Sequence, residues 1–297
     1  LGVPITWVDL AQIPGEGRTL LRLSGPDAQR FLQGITSADI DRLEAGQAVA
    51  SALLTVKGKL VSDGVAMLLD DGDLGLAVPA ALAADVAAAL DRHIIMDDVT
   101  VATEPGTALA LAWGEGAQAL EADGVLAFDT TYPAPGRLLV GASEAIAGSL
   151  AGATEVDATA WTRYRVEQGS PAWGHEVEPD RFPPEVGFVQ AVSYDKGCFM
   201  GQEPLARIHA RGQVNWVMVR VEADAAPNEV TPLSHPDREQ AGRWTTWVEH
   251  GGSVTGLAIV RRSFAVPGTE LSAGDAGTVR VVSEPLGDDP GVHAKTG

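Results

Sequence analysis

Short apolar runs separated by glycine, proline and acidic clusters dominate the first half of the chain, and they predict strands. Residues 1–17, with Pro4, Pro14 and Gly17, read as a lead-in holding one short strand. Arg18 to Leu23 follows as a strand, and Ser24-Gly25-Pro26-Asp27 then carries helix-start signals. That helix is predicted to run through Phe31 and Leu32 and to stop at Gly34. Ala48–Val56, Lys59–Leu69 and Leu74–Val78 read as strands, with turns at Gly58 and at Asp70-Asp71-Gly72-Asp73. The alanine-rich run 80–90 predicts a helix from Asp85 to Leu90, leading into a strand over Ile94–Val101. Strand, strand, helix, strand fits a ferredoxin-like part over about 48–115.

Leu109–Trp113 and Arg137–Gly141 are candidate strands, and Gln118–Glu121 and Ala145–Leu150 candidate helices. Asp157 suits the N-cap of a helix ending at Gln168, with Gly169 just past its end. Trp161 and Tyr164 would share its inward face. From residue 214 helical periodicity is absent. Val214–Glu222, Arg243–Glu249, Ser253–Val266 and Ala276–Ser283 predict a small all-β domain of barrel type. The insert 223–242, rich in Pro, Asp and Glu, reads as a mobile loop. The expected organisation is an α+β domain over 1–212, a β-barrel domain over 213–285 and a disordered tail over 286–297.

Composition narrows the function classes. At 297 residues, 45% apolar and 21% charged, the chain is long enough for two domains and a substantial core. No apolar run reaches the roughly 18 residues of a membrane helix. Residues 1–20 show no signal-peptide pattern. One cysteine forms no internal disulfide, which fits a reducing, cytoplasmic setting, and it supplies no complete metal or iron–sulfur site. His93, His175 and His209 are not at metal-ligand spacing, so no intrinsic metal is expected. Neither a phosphate-binding glycine loop nor a Gly-x-Ser-x-Gly elbow occurs. The net charge of −19 repels phosphate backbones at long range, so stable nucleic-acid binding is not expected. Arg207, His209 and Arg211 read as solvated side chains balancing nearby acids.

The candidate chemistry concentrates in Lys196-Gly197-Cys198-Phe199-Met200-Gly201-Gln202-Glu203. The only cysteine follows a glycine and stands two residues after a lysine. Read from composition, Cys198 is either a small buried apolar residue or a thiol made reactive by the neighbouring cation. This block resembles the K-G-C-[FY]-x-G-Q-E signature of the YgfZ family of folate-binding proteins, relatives of the glycine-cleavage T-protein, an aminomethyltransferase. Three further segments resemble the same families: Phe31-Leu32-Gln33-Gly34 through Ile40, Lys57-Gly58-Lys59-Leu60-Val61-Ser62-Asp63, and Arg165-Val166-Glu167-Gln168-Gly169 followed by Trp173-Gly174-His175-Glu176.

The resemblance implies a T-protein-like folate domain with a central cavity, Cys198 at its rim, then a small barrel. The residues alone read Glu167 as an exposed glutamate paired with Arg163 at i,i+4, whereas the resemblance implies it as the pterin-binding carboxylate, accepting the ring's two adjacent N–H donors in a bidentate pair. Trp173 stands where a Tyr is usual, either beside the ring or in the core. Lys196 falls where T-proteins hold folate with a basic residue, and it would also activate Cys198. Asp63 is implied near the one-carbon position of tetrahydrofolate, where the residues alone read equally as a strand aspartate facing water, while Ser62 breaks the acidic pair of true aminomethyltransferases. The implied role is support of iron–sulfur protein assembly or repair and, through such enzymes, tRNA modification, with iron–sulfur clients as partners. An aminomethyltransferase and a non-enzymatic folate-binding scaffold are the alternatives, and turnover stays open.

Overall fold

The structure is a computed structural model, and residues 4–211 and 214–287 are described. Ten strands form one mixed sheet: β1 Thr6–Asp9, β2 Arg18–Ser24, β3 Gln47–Leu54, β4 Leu60–Leu68, β5 Leu74–Pro79, β6 Thr100–Thr103, β7 Ala108–Trp113, β8 Val125–Thr130, β9 Gly136–Gly141 and β10 Thr154–Glu155. Their order is β10-β1-β7-β9-β8-β3-β4-β5-β2-β6. The two halves meet where β3 and β8 run parallel for only two residue pairs, Gln47 with Asp129 and Ala48 with Thr130. Six more strands close a barrel in the order β11-β14-β13-β12-β15-β16: β11 Trp216–Ala223, β12 Thr231–His235, β13 Arg238–His250, β14 Ser253–Arg261, β15 Glu270–Ser272 and β16 Thr278–Val281. Among the described residues five helices, α1 Ala28–Ile35, α2 Ala83–Asp91, α3 Ser143–Ser149, α4 Ala158–Gln168 and α5 Gln202–Arg211, complete an α+β fold.

One apolar core joins these parts. Leu60, Tyr132, Trp161, Phe188 and Phe199 pack in the same cluster as Met218, Leu257 and Ile259 of the barrel. Helix α4 forms as its sequence predicts. The Asp157 carboxylate accepts the Ala160 N–H at 2.9 Å, and Gly169 ends the helix with φ 66°. Trp161 is buried, and Tyr164 stacks on Trp113 with ring centroids 4.2 Å apart.

Elsewhere the chain departs from its local signals. Asp27 makes no cap on α1, because its carboxylate accepts the N–H of Asp98 at 2.9 Å instead. Gly34 lies inside α1. The strand expected over Ile94–Val101 starts only at Thr100. Residues before it turn outward, with Arg30 pairing Asp97 at 2.6 Å and Ile95 and Met96 exposed. The expected loop 223–242 holds β12 and the start of β13, which pair as an antiparallel hairpin despite Pro232. Strand β8 and helix α5 were not predicted, and the helix expected at Gln118–Glu121 is a short 3-10 turn over Ala117–Ala119. At the start of the expected tail, Leu286 donates its N–H to Met218 O at 2.7 Å and packs on the core, while 288–297 lie outside the described residues.

A buried polar seam ties the barrel to the sheet. Arg165 is fully buried and reaches Glu176 at 2.9 Å and Glu16 at 3.1 Å. Glu176, also fully buried, accepts hydroxyl hydrogen bonds from Thr245 and Thr246 of β13, each at 2.6 Å. Successive strand residues normally face opposite sides. A bulge in β13 between Trp244 and Thr246 shifts the register and turns both hydroxyls to one carboxylate. Burial alone would raise the Glu16 carboxyl, but Arg165 and hydrogen bonds from His175 and Trp161 bring it down to about 2.

Removing one partner of such a pair strands a buried charge. Glu176→Leu should lower the unfolding free energy by about 3–5 kcal/mol in urea titration, and an unchanged midpoint would show that the seam contributes nothing. The hydrogen bond between His175 and Glu16 raises the histidine pKa against the effect of burial. A raised histidine pKa adds stability that is complete below the unfolded value near 6.5 and lost as pH climbs through the folded value. Calorimetric melting should therefore show a larger fall between about pH 6 and pH 8 in the wild type than in His175→Gln. Equal falls would remove His175 from the seam.

Candidate functional site

The signature loop is held by the residue expected to act. Lys196 is buried, and its ammonium donates to the carbonyls of Gln33 at 2.6 Å, Thr36 at 2.8 Å and Ala38. An ammonium has three donors, so all are used. These carbonyls lie at and just past the end of α1, where helix carbonyls lack intrahelical partners and a cation is favoured. Burial pulls the Lys196 pKa down to about 8 against the opposing charges of Asp39 and Asp41. Lys196 therefore differs from the expectation. It neither pairs with the thiol nor stands free for a folate tail, because its donors are spent inside the fold.

Around this clamp three distant motifs meet. Met200 donates its N–H to Gly34 O at 3.1 Å, and Ser193 to Ser37 O at 2.9 Å. Gly58 and Gly201, with φ 74° and 80°, lie back to back. A Cβ on Gly201 would stand 2.5 Å from Thr55 O and 3.0 Å from the Gly58 Cα. Both positions thus need glycine for conformation and for closeness. On the loop so fixed, Cys198 is exposed. That corrects the reading of it as a buried apolar residue.

Asp63 lies elsewhere. It is fully buried on β4, where a strand carboxylate facing water was one expectation. Its Oδ2 accepts from Arg18 and, at 2.6 Å, from the Tyr132 hydroxyl. Burial, reinforced by the Asp63 charge, holds the Tyr132 phenol well above its usual pKa. Asp63 Oδ1 and Arg18 Nη1 are buried with no partner among the described residues. Ser62 is buried too, and its hydroxyl donates to Asp63 O at 2.7 Å.

Glu167 ends α4 on the surface. Its carboxylate pairs with Arg163 at 2.7 Å, and its side chain is 50% exposed. Its backbone is held separately. Arg220 of the barrel donates to Val166 O at 3.1 Å and to Glu167 O at 2.9 Å, satisfying helix-end carbonyls. Trp173 is half-buried against the main core. Residues 132–135 bridge the two regions, since Ser170 Oγ donates to Pro133 O and Tyr164 OH donates to Pro135 O at 2.6 Å.

The predicted residues are therefore spread over a buried aspartate, a surface glutamate and a clamped loop. No hydrogen bond or ion pair joins Asp63, Glu167 and Lys196 to one another among the described residues. A cleft of about 510 Å³ opens beside the loop, lined by Asp39, Arg42, Gln190, Tyr194 and His209 among others. That volume is within the range of small-molecule sites. Sequence reasoning missed Arg18, Tyr132 and Glu16. Each is buried only because of partners far away in the chain, which no local pattern records.

Residues 18–122 match the family described as the GCVT N-terminal domain. A protein named tRNA-modifying protein YgfZ from Vibrio vulnificus (strain YJ016) is 27% identical over 264 residues, covering 81% of each chain. The protein of the same name from Yersinia pseudotuberculosis serotype O:1b (strain IP 31758) is 27% identical over 234 residues, covering 71% of this chain and 69% of its own. The crystal structure of glycine cleavage system aminomethyltransferase T from Bartonella henselae superposes with a TM-score of 0.78 over 96% of this chain and 87% of that one, at 19% identity, a likeness of fold.

The clamp is directly testable. Lys196→Met leaves three carbonyls without their donor, and should lower stability by about 3 kcal/mol or more. Alkylation of Cys198 by iodoacetamide should accelerate as its loop loosens. A variant with wild-type stability and alkylation rate would mean that the clamp holds nothing.

Proposed function

This chain is a relative of the YgfZ proteins built on the glycine-cleavage T-protein fold, and on that premise we propose that it binds a reduced folate and presents Cys198 as a surface thiol to partner proteins. The single observation that carries the folate reading is Glu167. Its backbone is fixed by Arg220 while its carboxylate is held only by one half-exposed ion pair. Exposed pairs of this kind contribute little. The carboxylate is thus free to exchange Arg163 for the 2-amino and N3 hydrogens of a pterin. Lys196 is a positioning residue, acting through the loop it clamps.

The relatives carry the name tRNA-modifying protein. For this chain we extend that to support of tRNA modification through iron–sulfur enzymes as clients. An exposed single thiol suits transient handling of a cluster or an electrophile together with a partner. It does not suit storage of one.

One-carbon transfer is the second reading. It asks Asp63 to stand at the reacting atoms of the folate. Asp63 is instead enclosed by Arg18 and Tyr132 with no exposed surface, which favours binding over turnover.

Calorimetric titration with 5-formyltetrahydrofolate tests the folate reading. Wild type should bind, and Glu167→Ala should lose about 1.5–3 kcal/mol, the scale of a hydrogen bond to a charged group. Retained affinity in the variant would take the ligand away from Glu167 and direct attention to the cleft beside Tyr194. No binding by wild type would leave the fold without its folate.

A further inference from the structure

We propose that the face where the barrel meets the Lys57–Lys59 turn binds single-stranded RNA. This goes beyond the folate reading and does not depend on it. Trp216 opens β11 and pairs in register with Arg261 at the end of β14. The Arg261 guanidinium carbon lies 4.2 Å from the Trp216 ring centroid, and that of Arg181 lies 5.4 Å from it. The next residue, Phe182, carries the Lys59 ammonium 3.4 Å from its ring centroid. Leu60 donates its N–H to Arg181 O at 2.9 Å, so the two segments run side by side. A Cβ on Gly58 would stand 3.0 Å from Gly201 O and 3.4 Å from the Phe182 ring, which sets this face beside the loop that carries Cys198.

The charges do not balance here. Glu178 is shared between Arg181 at 2.9 Å and Arg243 at 2.8 Å. Glu185 faces Lys59 at 3.8 Å. Among the described residues Arg261 has no carboxylate partner, and Lys57 is exposed without one. Asp180, next in the chain to Arg181, is exposed. Two guanidiniums over one indole repel each other, and an anion between their N–H edges relieves that. In a chain of net charge −19, a face where Arg181, Arg243, Arg261, Lys57 and Lys59 outnumber Glu178, Asp180 and Glu185 is a local exception.

Anionic ligands differ in what else they use. Cations alternating with aromatic rings are the means by which proteins hold single strands, with guanidinium planes and rings stacking on bases while N–H edges meet phosphates. An acidic peptide would use the charges and leave the rings idle. The acidic remainder of the surface confines the strand to this face, and the sparse cations make the binding dependent on salt.

The experiment is fluorescence anisotropy with a fluorescein-labelled oligouridylate of about 12 nucleotides, within the site size of a single strand-binding fold. Wild type should bind, with log affinity falling linearly as salt rises from about 50 to 200 mM. Arg181→Gln and Arg261→Gln should each weaken binding severalfold and flatten the salt slope by about 0.7. Arg280→Gln, paired with Glu270 on the barrel's other strands, should leave it unchanged. If a Gln variant fails to fold, Arg261→Lys replaces it. It keeps the charge and loses the planar stack, so it should weaken binding with little change of slope. No anisotropy change with wild type overturns the proposal. So does wild-type affinity in folded Arg261→Gln, or displacement of the RNA by an equal charge of oligoglutamate, which would assign the face to acidic peptides.

Discussion

A guanidinium with no exposed surface has to be neutralised where it lies, and the position of Arg165 sets how this chain assembles. It draws on Glu16 from the lead-in to β2, on Glu176 from the segment after α4, and through Glu176 on the two threonines of the β13 bulge. Apolar contacts across the same junction would tolerate sliding. Directional bonds to one carboxylate do not. The seam therefore fixes the barrel's rotation against the sheet as well as its attachment. Arg220, Trp216 and Arg261 depend on that orientation, because each reaches across the junction or lines its edge.

The clamp at Lys196 works on the same principle at smaller scale. A buried ammonium with three carbonyl partners is satisfied only in one arrangement of the α1 end and the signature loop. That arrangement brings Gly58 and Gly201 into backbone contact and leaves Cys198 outside. The signature's lysine and its cysteine thus have separate tasks. The first builds the platform, and the second is displayed on it. Glycine at 201 follows from the same arrangement, since its φ is 80° and a Cβ there would strike Thr55 O, whereas position 197 has open space around it.

The legible parts of the fold were those decided locally. Helix α4 announces both its ends through Asp157 and Gly169, and the strands around Gly58 and Gly72 follow from apolar runs between turn residues. The barrel was legible as a change of pattern after 214. The illegible parts were decided at a distance. Pro227, Pro232 and the scattered acids mark 223–242 as a loop, yet the barrel closes only if β12 is paired. Asp27 carries a cap's chemistry and spends it on Asp98. Among site residues, the motifs located the right loops but not the directions of their side chains. Lys196 points into the fold and Asp63 into the core, since each answers to partners well over 40 residues away, Gln33 for one and Arg18 for the other.

Asp63 shows how a strand carboxylate becomes part of the core. A carboxylate that receives both a guanidinium and a phenol is held by charge-assisted bonds, which are stronger than neutral ones. Freeing it for a ligand means leaving Arg18 charged and buried without its counterion, which is strongly unfavourable. Ser62 adds no charge to oppose that closure and ties its hydroxyl to the backbone. The same fold thus carries a half-exposed glutamate near the end of α4 while its aspartate serves the core.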